Sequence, residues 1–583
     1  MSKLNIDQKT IKSLFSDRKA DFLIPDYQRP YAWSEAECQT LWEDLFAFAF
    51  PENEQGDPDA DKFKTDEEYY LGPIVTFKNE NGQLEVIDGQ QRLTTLMLLL
   101  RAFYSKFGKM NQPNIRKLKE SIEQCIWRLD EDDEVLQDEL KIASDVATDG
   151  DKTEFLEILK QGETPNSYNS LYAKNFRFFQ KKIDEYKDDY PEYFSKLPKR
   201  IIDNCILLPI EAESQDTALR IFSTLNDRGK PLSDADIFKA QFYKYFSSIG
   251  KKDQFIKDWK KLEEVCESIF HPIQGTPMDD LFTRYMYYER AKQGIKSSTT
   301  EALRKFYERN GYGLLKREET FENLKDLASF WSDVDAQNSD KFSEDVLKSL
   351  FVLKYAPNGM WNYLVSVYYM QNRADGLLDQ TALLAFLNKI IAFIWAYAIE
   401  RPGVNALRTP LYAEMINMVN DKEVTFDGFL FDKDNIRQRI DLYQFTNNRA
   451  ITKSFLAWWA FQCADQKLVP IDSVFEIEHI YAKNRQSKEK SLSDGRNLES
   501  LGNKALLEKR INIRASDYRF ADKKKYYTGY TTEKGLKKDA TMIAELTALA
   551  QESDFTEEDI KKRKNTIIDG FIEYMGRNGL LIS

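Results

Sequence analysis

A glutamate followed by one of the chain's two histidines marks the segment with the clearest capacity for acid–base chemistry. Glu478 and His479 end a strand-like run, and Asn503 and Asn512 follow it. A neutral imidazole accepts a proton from an attacking water, and carboxylate and amide oxygens bind hard divalent ions. We predict a phosphodiester-hydrolysing centre with His479 as the general base and Asn503 as support for its loop. Glu478 and Asn512 are the predicted metal ligands.

This centre has a less specific alternative. A single strand histidine is usually structural, and neighbouring strand side chains point to opposite faces, so Glu478 and His479 share an ion only at an irregular strand end. The surrounding charge favours the catalytic interpretation. Residues 483–525 contain 13 Lys or Arg and 6 Asp or Glu, a net charge of +7 in a chain of net charge −12. A phosphodiester substrate requires such a local surface, although charge runs are more often solvated helix faces. His271 is predicted to be structural.

A second motif, Asp88-Gly89-Gln90-Gln91-Arg92, lies between a strand-like run and an apolar helix. Gly89 allows close backbone approach, and the N–H groups of the following helix favour an anion. Arg92 offers donors suited to phosphate oxygens, and Asp88 suits a metal, a ribose or a water. The alternative is a tight turn that caps a core helix.

Two further motifs combine ring, amide and guanidinium groups. Tyr27 to Trp33 includes Gln28, Arg29 and Tyr31, a pattern that offers stacking surfaces and phosphate donors. The alternative is that its aromatic residues anchor the core. Asn226 and Arg228 lie in a loop that ends a helix, where they line a pocket or simply connect two helices.

These motifs require particular elements around them. Apolar alternation and the Asn81-Gly82 turn predict a hairpin, and two capping boxes predict helix starts. The acid-rich residues 130–139 are expected to form an exposed helix face or a loop. The predicted strands are 70–77, 84–87, 204–212, 474–480 and 501–507, the helices include 93–104 and 215–225, the capping boxes are Ser34/Glu37 and Ser233/Asp236, and residues 250–460 are predicted to be helical.

Composition limits the class of protein. A chain of 583 residues with 42% hydrophobic and 31% charged residues is globular and long enough for three or four domains. Five scattered cysteines exclude a disulfide framework and fit a reducing compartment. The polar N-terminus lacks a secretory signal, and the apolar run 383–399 is too short to span a membrane. A cytoplasmic protein without membrane contact is expected.

Taken together, the motifs resemble the GmrSD-type modification-dependent (type IV) restriction endonucleases. Tyr27-Gln28-Arg29-x-Tyr31-x-Trp33, Asp88 to Thr95 and Phe222 to Ser233 resemble the N-terminal domain of that family, and Glu478-His479-Ile480 with Leu501-Gly502-Asn503 and Asn512 resembles its HNH nuclease domain. One departure is clear: the family commonly continues His-Ile-x-Pro-Gln, whereas this chain has Ala482 and Lys483 at the last two positions.

The resemblance implies an α+β multidomain fold. Residues 1–245 are expected to form a ParB/sulfiredoxin-like α/β domain, 246–440 an all-α middle region, and 441–583 a ββα-metal (HNH) domain with flanking helices. In the family the N-terminal domain binds and hydrolyses a nucleoside triphosphate and takes part in sensing modified DNA. The implied nucleotide-binding residues are Asp88, Gly89, Gln90, Gln91, Arg92 and Thr94, with Gln28, Arg29, Tyr31, Asn226 and Arg228 in the DNA or nucleotide pocket.

The expected function is therefore a nucleotide-regulated, modification-dependent DNA endonuclease of anti-phage restriction that uses Mg²⁺ or Mn²⁺. Its expected partners are modified phage DNA, a nucleoside triphosphate and, as one option, further copies of itself. Two alternatives stay open: a non-catalytic DNA- or nucleotide-binding regulator with a degenerate nuclease domain, and a nuclease acting on RNA.

Overall fold

The computed structural model describes residues 5–6, 8–51, 66–108, 110, 112–146, 149–214, 217–218, 221, 233–299, 301–403, 405–516 and 519–582. The chain divides into two compact units, Met1–Lys260 and Lys261–Ser583. Both contain helices and strands, which agrees with the predicted α+β class. The finer division at residues 245 and 440 stays a prediction.

A mixed seven-stranded sheet forms the centre of the N-terminal unit. The strands of this unit are β1 (Asn5–Ile6), β2 (Lys9–Thr10), β3 (Phe22–Ile24), β4 (Tyr69–Lys78), β5 (Leu84–Asp88), β6 (Trp127–Leu129), β7 (Val135–Leu140), β8 (Ile142–Ser144) and β9 (Cys205–Ala212). The sheet order is β1-β9-β4-β5-β3-β8, with β2 also paired to β9. β4 and β5 form the predicted antiparallel hairpin, whereas β4 pairs with β9 in parallel.

Helices cover this sheet and bury its apolar side chains. They are α1 (Ile11–Phe15), α2 (Glu35–Ala49), α3 (Gln90–Phe107), α4 (Pro113–Ile126), α5 (Lys152–Gln161), α6 (Leu171–Asp189), α7 (Lys196–Asn204) and α8 (Asp234–Ser248). The larger core includes most of the apolar side chains of α3, and a smaller cluster contains Val75, Ile87 and Ile210. Because β5 runs into α3, Asp88 lies directly before the N-terminus of a buried helix.

Local signals predicted some of these boundaries. The capping boxes at Ser34 and Ser233 are both present, so those two helix starts are confirmed. The prediction for residues 130–139 was partly wrong: residues 130–134 form a turn, but residues 135–139 belong to β7, which pairs with β6 as an antiparallel hairpin. The exposed acids of β7 occupy one half-buried strand, whose apolar ends, Val135 and Leu140, pack against the larger core.

Helices fill the chain from residue 252 to residue 460, as predicted. They are α9 (Lys252–Ile269), α10 (Pro277–Lys292), α11 (Leu303–Tyr307), α12 (Arg309–Tyr312), α13 (Glu318–Asp335), α14 (Glu344–Leu353), α15 (Met360–Asn372), α16 (Gln380–Glu400), α17 (Arg408–Val419), α18 (Lys433–Leu442) and α19 (Ala450–Ala460). α16 is long and apolar enough to cross a membrane by composition, but 67% of its most apolar window is buried inside the fold. This burial is typical of a core helix.

The remaining elements carry the predicted catalytic segment. They are β10 (Phe475–His479), α20 (Lys483–Glu489), β11 (Lys504–Glu508), α21 (Lys509–Ala515), α22 (Phe520–Thr528), β12 (Tyr530–Thr531), β13 (Lys537–Lys538), α23 (Ala544–Leu549) and α24 (Glu557–Arg577). β10 and β11 form a two-stranded antiparallel sheet. The order strand, loop, strand, helix is therefore present, with short 3₁₀ turns at Gly495–Glu499 and Leu501–Asn503 where the sequence predicted an earlier strand start.

Candidate active site

His479 is the last residue of β10 and lies opposite Lys504 of β11. Its side chain is 11% exposed. Burial lowers the pKa of His479 from 6.5 to about 4, and the nearby carboxylate of Glu499 only partly opposes this effect. The imidazole is therefore neutral at pH 7, which is the protonation state that a general base requires.

Asn503 holds the chain that follows His479. Its fully buried amide accepts a hydrogen bond from the backbone N–H of Tyr481 at 2.7 Å and donates to the carbonyls of Tyr481 and Leu498 at 3.1 and 2.9 Å. The backbone carbonyl of Asn503 also accepts from Ile480 N–H at 2.9 Å. These contacts suit the loop-supporting role predicted for this residue.

Glu499 is a neighbour of His479 that the sequence did not identify. Its Oε1 lies 3.4 Å from His479 Nε2 and 3.0 Å from Lys483 Nζ, and its Oε2 lies 2.6 Å from Lys504 Nζ. The side chain of Lys504 has no exposed surface. Glu499 is one acid among several in a polar loop, so only the fold distinguishes it from the others.

Glu478 points away from His479, as neighbours in a regular strand do. Its Oε1 accepts hydrogen bonds from Lys523 Nζ at 2.8 Å and Tyr527 OH at 2.6 Å. The side chains of Glu478 and Lys523 are 3% and 1% exposed, so the two form a buried ion pair. Lys523 Nζ also donates to the backbone carbonyl of His479 at 2.5 Å, so only the side chains of the predicted base and the predicted metal ligand have separate partners.

Asn512, the second predicted metal ligand, contacts a different carboxylate. Its Nδ2 donates to Glu476 Oε2 at 3.1 Å, and Glu476 shares a strand face with Glu478 because they alternate. Carboxylate and amide oxygens on this face have the chemistry that Mg²⁺ or Mn²⁺ prefers. Among the residues that the structure describes, no three His, Cys, Asp or Glu side chains are grouped as a metal centre.

The positive charge of residues 483–525 is partly neutralised in the structure by ion pairs with nearby carboxylates. Arg485 forms a two-point ion pair with Asp554, at 2.8 Å for each nitrogen, and Arg519 pairs with Glu489. Lys504 and Lys523 are buried partners of carboxylates. Part of the predicted positive surface is thus neutralised. Exposed cations remain, among them Lys488, Lys490, Arg510 and Lys525.

The Asp88–Arg92 motif forms the turn between β5 and α3. Gly89 has φ +88°, and a Cβ there would lie 3.2 Å from the carbonyl oxygen of Pro73, so a side chain is strongly disfavoured. Burial raises the pKa of Asp88, opposed by the Gly89 N–H and by the positive charges of Arg92 and Arg29. Arg92 Nη1 donates to Pro73 O at 2.9 Å. The turn therefore holds a half-buried opposite-charge pair.

The two glutamines of this turn form hydrogen bonds with the backbone of the aromatic and basic segment Tyr27–Trp33, about 60 residues earlier in the chain. Gln91 accepts from Ala32 N–H at 2.7 Å and donates to Pro30 O at 3.1 Å, and Gln90 donates to Arg29 O at 3.4 Å. Gln28 donates to the carbonyls of Val86 and Ile87 at 3.2 and 3.1 Å. The two predicted binding motifs are therefore neighbours in space.

The other members of this set are buried or outside the described ranges. Tyr31 OH lies 2.7 Å from the Thr95 hydroxyl and accepts from Asn175 Nδ2 at 3.0 Å, and Thr94 is 2% exposed. Tyr31 is thus a hydrogen-bonded core residue as well as a predicted pocket residue. Asn226, Arg228 and most of the predicted helix 215–225 lie outside the described residues.

A cleft of about 710 Å³ opens beside Tyr27, at the start of the aromatic and basic segment. Tyr27 and Tyr243 contribute rings whose centroids are 5.2 Å apart. Asp26 accepts from Tyr243 OH at 2.9 Å and pairs with Lys252 at 2.6 Å. The cleft mixes carboxylates, lysines and tyrosines, and nothing in the sequence pattern indicated it.

Two family models match the chain. Residues 11–243 match the model described as the N-terminal domain of the GmrSD restriction endonuclease, and residues 432–569 match the C-terminal domain of GmrSD restriction endonucleases. Together these matches cover more than half of the chain, and they define a nuclease of the restriction class. The chain belongs to the GmrSD restriction endonuclease family, as its motifs predicted. A search of curated proteins finds no match.

Membership of this family defines the general activity. The protein is a restriction endonuclease of phage defence, and its substrate is DNA. The C-terminal match contains Glu478, His479, Asn503 and Asn512, and the N-terminal match contains the Asp88–Arg92 turn. Both candidate sites therefore lie within the parts of the chain that the family shares.

Proposed function

We propose that this protein is a nucleotide-regulated, modification-dependent DNA endonuclease in which His479 is the general base. The observation that supports this most is a neutral imidazole at the end of β10, in a loop that the buried Asn503 amide holds through three hydrogen bonds. A base that is held rigidly and is neutral at pH 7 suits the activation of water.

In the proposed reaction His479 takes a proton from water as the water oxygen attacks phosphorus. A new P–O bond forms, the bond from phosphorus to the leaving sugar oxygen breaks, and solvent protonates that oxygen. Exposed cations such as Lys490 and Arg510 attract the DNA backbone. Glu478 and Asn512 are the proposed ligands of Mg²⁺ or Mn²⁺, which when bound stabilises negative charge on the phosphate.

We assign nucleotide binding to the turn Asp88–Arg92 of the N-terminal unit. The N-terminus of α3 and the Arg92 guanidinium suit a triphosphate, and the adjoining Gln28–Tyr31 segment suits recognition of DNA or nucleotide. Hydrolysis of the triphosphate and recognition of modified phage DNA, in the cytoplasm, complete the proposal. The acidic chain, with a net charge of −12, disfavours indiscriminate DNA binding.

Substituting each histidine tests the nuclease assignment. His479→Ala is expected to abolish cleavage of modified phage DNA in the presence of Mg²⁺ or Mn²⁺ and nucleotide while leaving triphosphate hydrolysis unchanged. His271→Ala, which changes an exposed histidine, is the matched control and is expected to cleave normally. Cleavage by His479→Ala at the wild-type rate would contradict the assignment, and a wild-type protein that nicks no DNA would favour the non-catalytic regulator.

Substituting Arg92 tests the nucleotide assignment separately. Arg92→Ala is expected to weaken triphosphate binding at least tenfold in calorimetry because it removes a charged donor to phosphate. Arg116→Ala, which removes an exposed arginine of α4, is expected to bind as the wild type does. Equal affinities for the two variants would return the turn to a structural role.

A further inference from the structure

Four side chains form a continuous polar network around His479. Glu499 is its centre, with Oε1 between His479 Nε2 at 3.4 Å and Lys483 Nζ at 3.0 Å. Its Oε2 is held by Lys504 Nζ at 2.6 Å. Lys504 lies opposite His479 in the β10–β11 pair. The cation that anchors the Glu499 carboxylate and the imidazole beside that carboxylate therefore belong to the same pair of strands.

The carboxylate of Glu499 is ionised over the working range of pH. Although burial opposes this, hydrogen bonds from Lys504 and Lys483 lower the pKa of Glu499 from 4.5 to about 2. An ionised carboxylate has lone pairs and no proton, so it only accepts hydrogen bonds. Whatever faces Glu499 Oε1 has to be a donor or remain without a hydrogen bond.

The imidazole of His479 has two ways to carry its single proton. A neutral imidazole is protonated on Nδ1 or Nε2, and the hydrogen bond made by one nitrogen decides which form is present. Protonation on Nδ1 would aim the lone pair of Nε2 at the anionic carboxylate. Protonation on Nε2 instead places an N–H next to Glu499 Oε1, the nearest carboxylate oxygen, at a buried nitrogen that has no hydrogen-bond partner among the described residues. The separation of Nε2 and Oε1, 3.4 Å, is longer than an ordinary hydrogen bond, and such contacts tighten when substrate binds.

We propose that Glu499 is the positioning residue of the nuclease centre: it fixes the Nε2–H tautomer of His479 and leaves Nδ1 as the atom that takes the proton from water. The inference rests on the proposed role of His479 as the base. Lys504 contributes indirectly, because its buried ammonium holds the carboxylate in place. The arrangement of acid, imidazole and nucleophile follows the logic by which an acid orients the histidine of other hydrolases.

Glu499→Gln is the variant that tests this assignment. Its amide has nearly the same shape but can present N–H donors to Nε2, which favours the opposite tautomer. The cleavage rate constant is expected to fall about 10²- to 10⁴-fold, as loss of the correct tautomer does in other hydrolases, while DNA affinity changes less than about twofold. Glu499→Asp, which keeps the acceptor, is expected to recover part of the rate.

Glu489→Gln provides the matched control. Glu489 is a second glutamate of the same basic region, and it pairs with Arg485 and Arg519, at 3.0 and 2.6 Å, instead of with His479. Its substitution removes one carboxylate from the region and is expected to leave the cleavage rate unchanged. Equal rates for Glu499→Gln and Glu489→Gln would overturn the positioning role.

The tautomer is also measurable without any cleavage. The chain has only two histidines, so nitrogen-15 labelling of histidine gives two imidazole spin systems, and His271→Ala assigns them. The Nε2–H form is expected for His479 in the wild type and in Glu489→Gln, and a shift towards Nδ1–H in Glu499→Gln. An Nδ1–H form in the wild type would overturn the inference.

The outcomes separate this inference from the proposed function. Wild-type cleavage by His479→Ala would overturn both, because the base would then be another group. Loss of cleavage in His479→Ala together with full cleavage by Glu499→Gln would overturn the positioning role alone. An unchanged melting temperature for Glu499→Gln would exclude unfolding as the cause of a lost rate. A lost rate with an unchanged tautomer would contradict the inference.

Discussion

Removing the side chain of Asn503 should destabilise the C-terminal unit far more than the loss of one polar group on the surface. Asn503→Ala leaves the buried N–H of Tyr481 without its 2.7 Å acceptor and removes the donor to two carbonyls, those of Tyr481 and Leu498. A buried unsatisfied donor costs about 1–3 kcal/mol, and each further lost hydrogen bond about 0.5–1.5 kcal/mol. The expected loss in free energy of unfolding is therefore about 2–6 kcal/mol.

Urea unfolding of the full chain, followed by tryptophan fluorescence, measures this loss. Asn420→Ala is the matched control in the same unit, because the exposed Asn420 side chain donates one hydrogen bond, to Ile416 O at 2.7 Å. Its cost should stay below about 1 kcal/mol. Cleavage by Asn503→Ala should also fall, because the chain after His479 loses its support. Equal midpoints for the two variants would refute the argument that the buried amide organises this loop.

Two further predictions concern buried charge. Lys523→Met leaves the Glu478 carboxylate, 3% exposed, without its cation, so we expect a loss of about 3–5 kcal/mol in urea unfolding; a midpoint equal to that of Lys525→Met, an exposed neighbour, would contradict this. His479 has its pKa lowered by burial from 6.5 to about 4, so between these values the unfolded chain binds a proton that the folded chain does not. The lowered pKa of His479 therefore contributes up to about 3 kcal/mol to the free energy of unfolding. This contribution is complete above pH 6.5 and is lost as the pH falls towards 4. The free energy of unfolding should therefore differ less between pH 7 and pH 5 in His479→Gln than in the wild type. Equal differences in the two proteins would refute the lowered pKa of His479.

The elements that the sequence predicted well are those with local signals. The Asn81-Gly82 turn predicted the β4–β5 hairpin, and each capping box needs only residues three positions apart. The N–H and carboxylate groups of Ser34 and Glu37 meet at 2.7 Å as such a box requires. The β6–β7 hairpin was missed because its strand sequence is rich in acids, and tertiary packing of its ends overrides that composition.

The contacts that define the candidate site join distant parts of the chain. Tyr527 lies 49 positions from Glu478, and its phenol, whose pKa burial raises, is bonded to that carboxylate. Gln91 reaches Ala32 across 59 positions. Neither partnership has a spacing rule that a single sequence reveals. Asn503 is different, because the sequence analysis named it as the support of the loop that follows His479, although its burial and its partners are visible only in the structure.

Strand geometry explains why Glu478, which is adjacent to His479 in the sequence, does not lie beside its imidazole, whereas Glu499 does. Adjacent side chains of β10 leave by opposite faces, which sends Glu478 to Lys523 and His479 towards the loop before β11. That loop returns Glu499 to the histidine's face after twenty residues, and the buried Lys504 fixes it there. Adjacency in the sequence therefore does not bring Glu478 to the imidazole, and the fold is needed to show that Glu499 lies beside it.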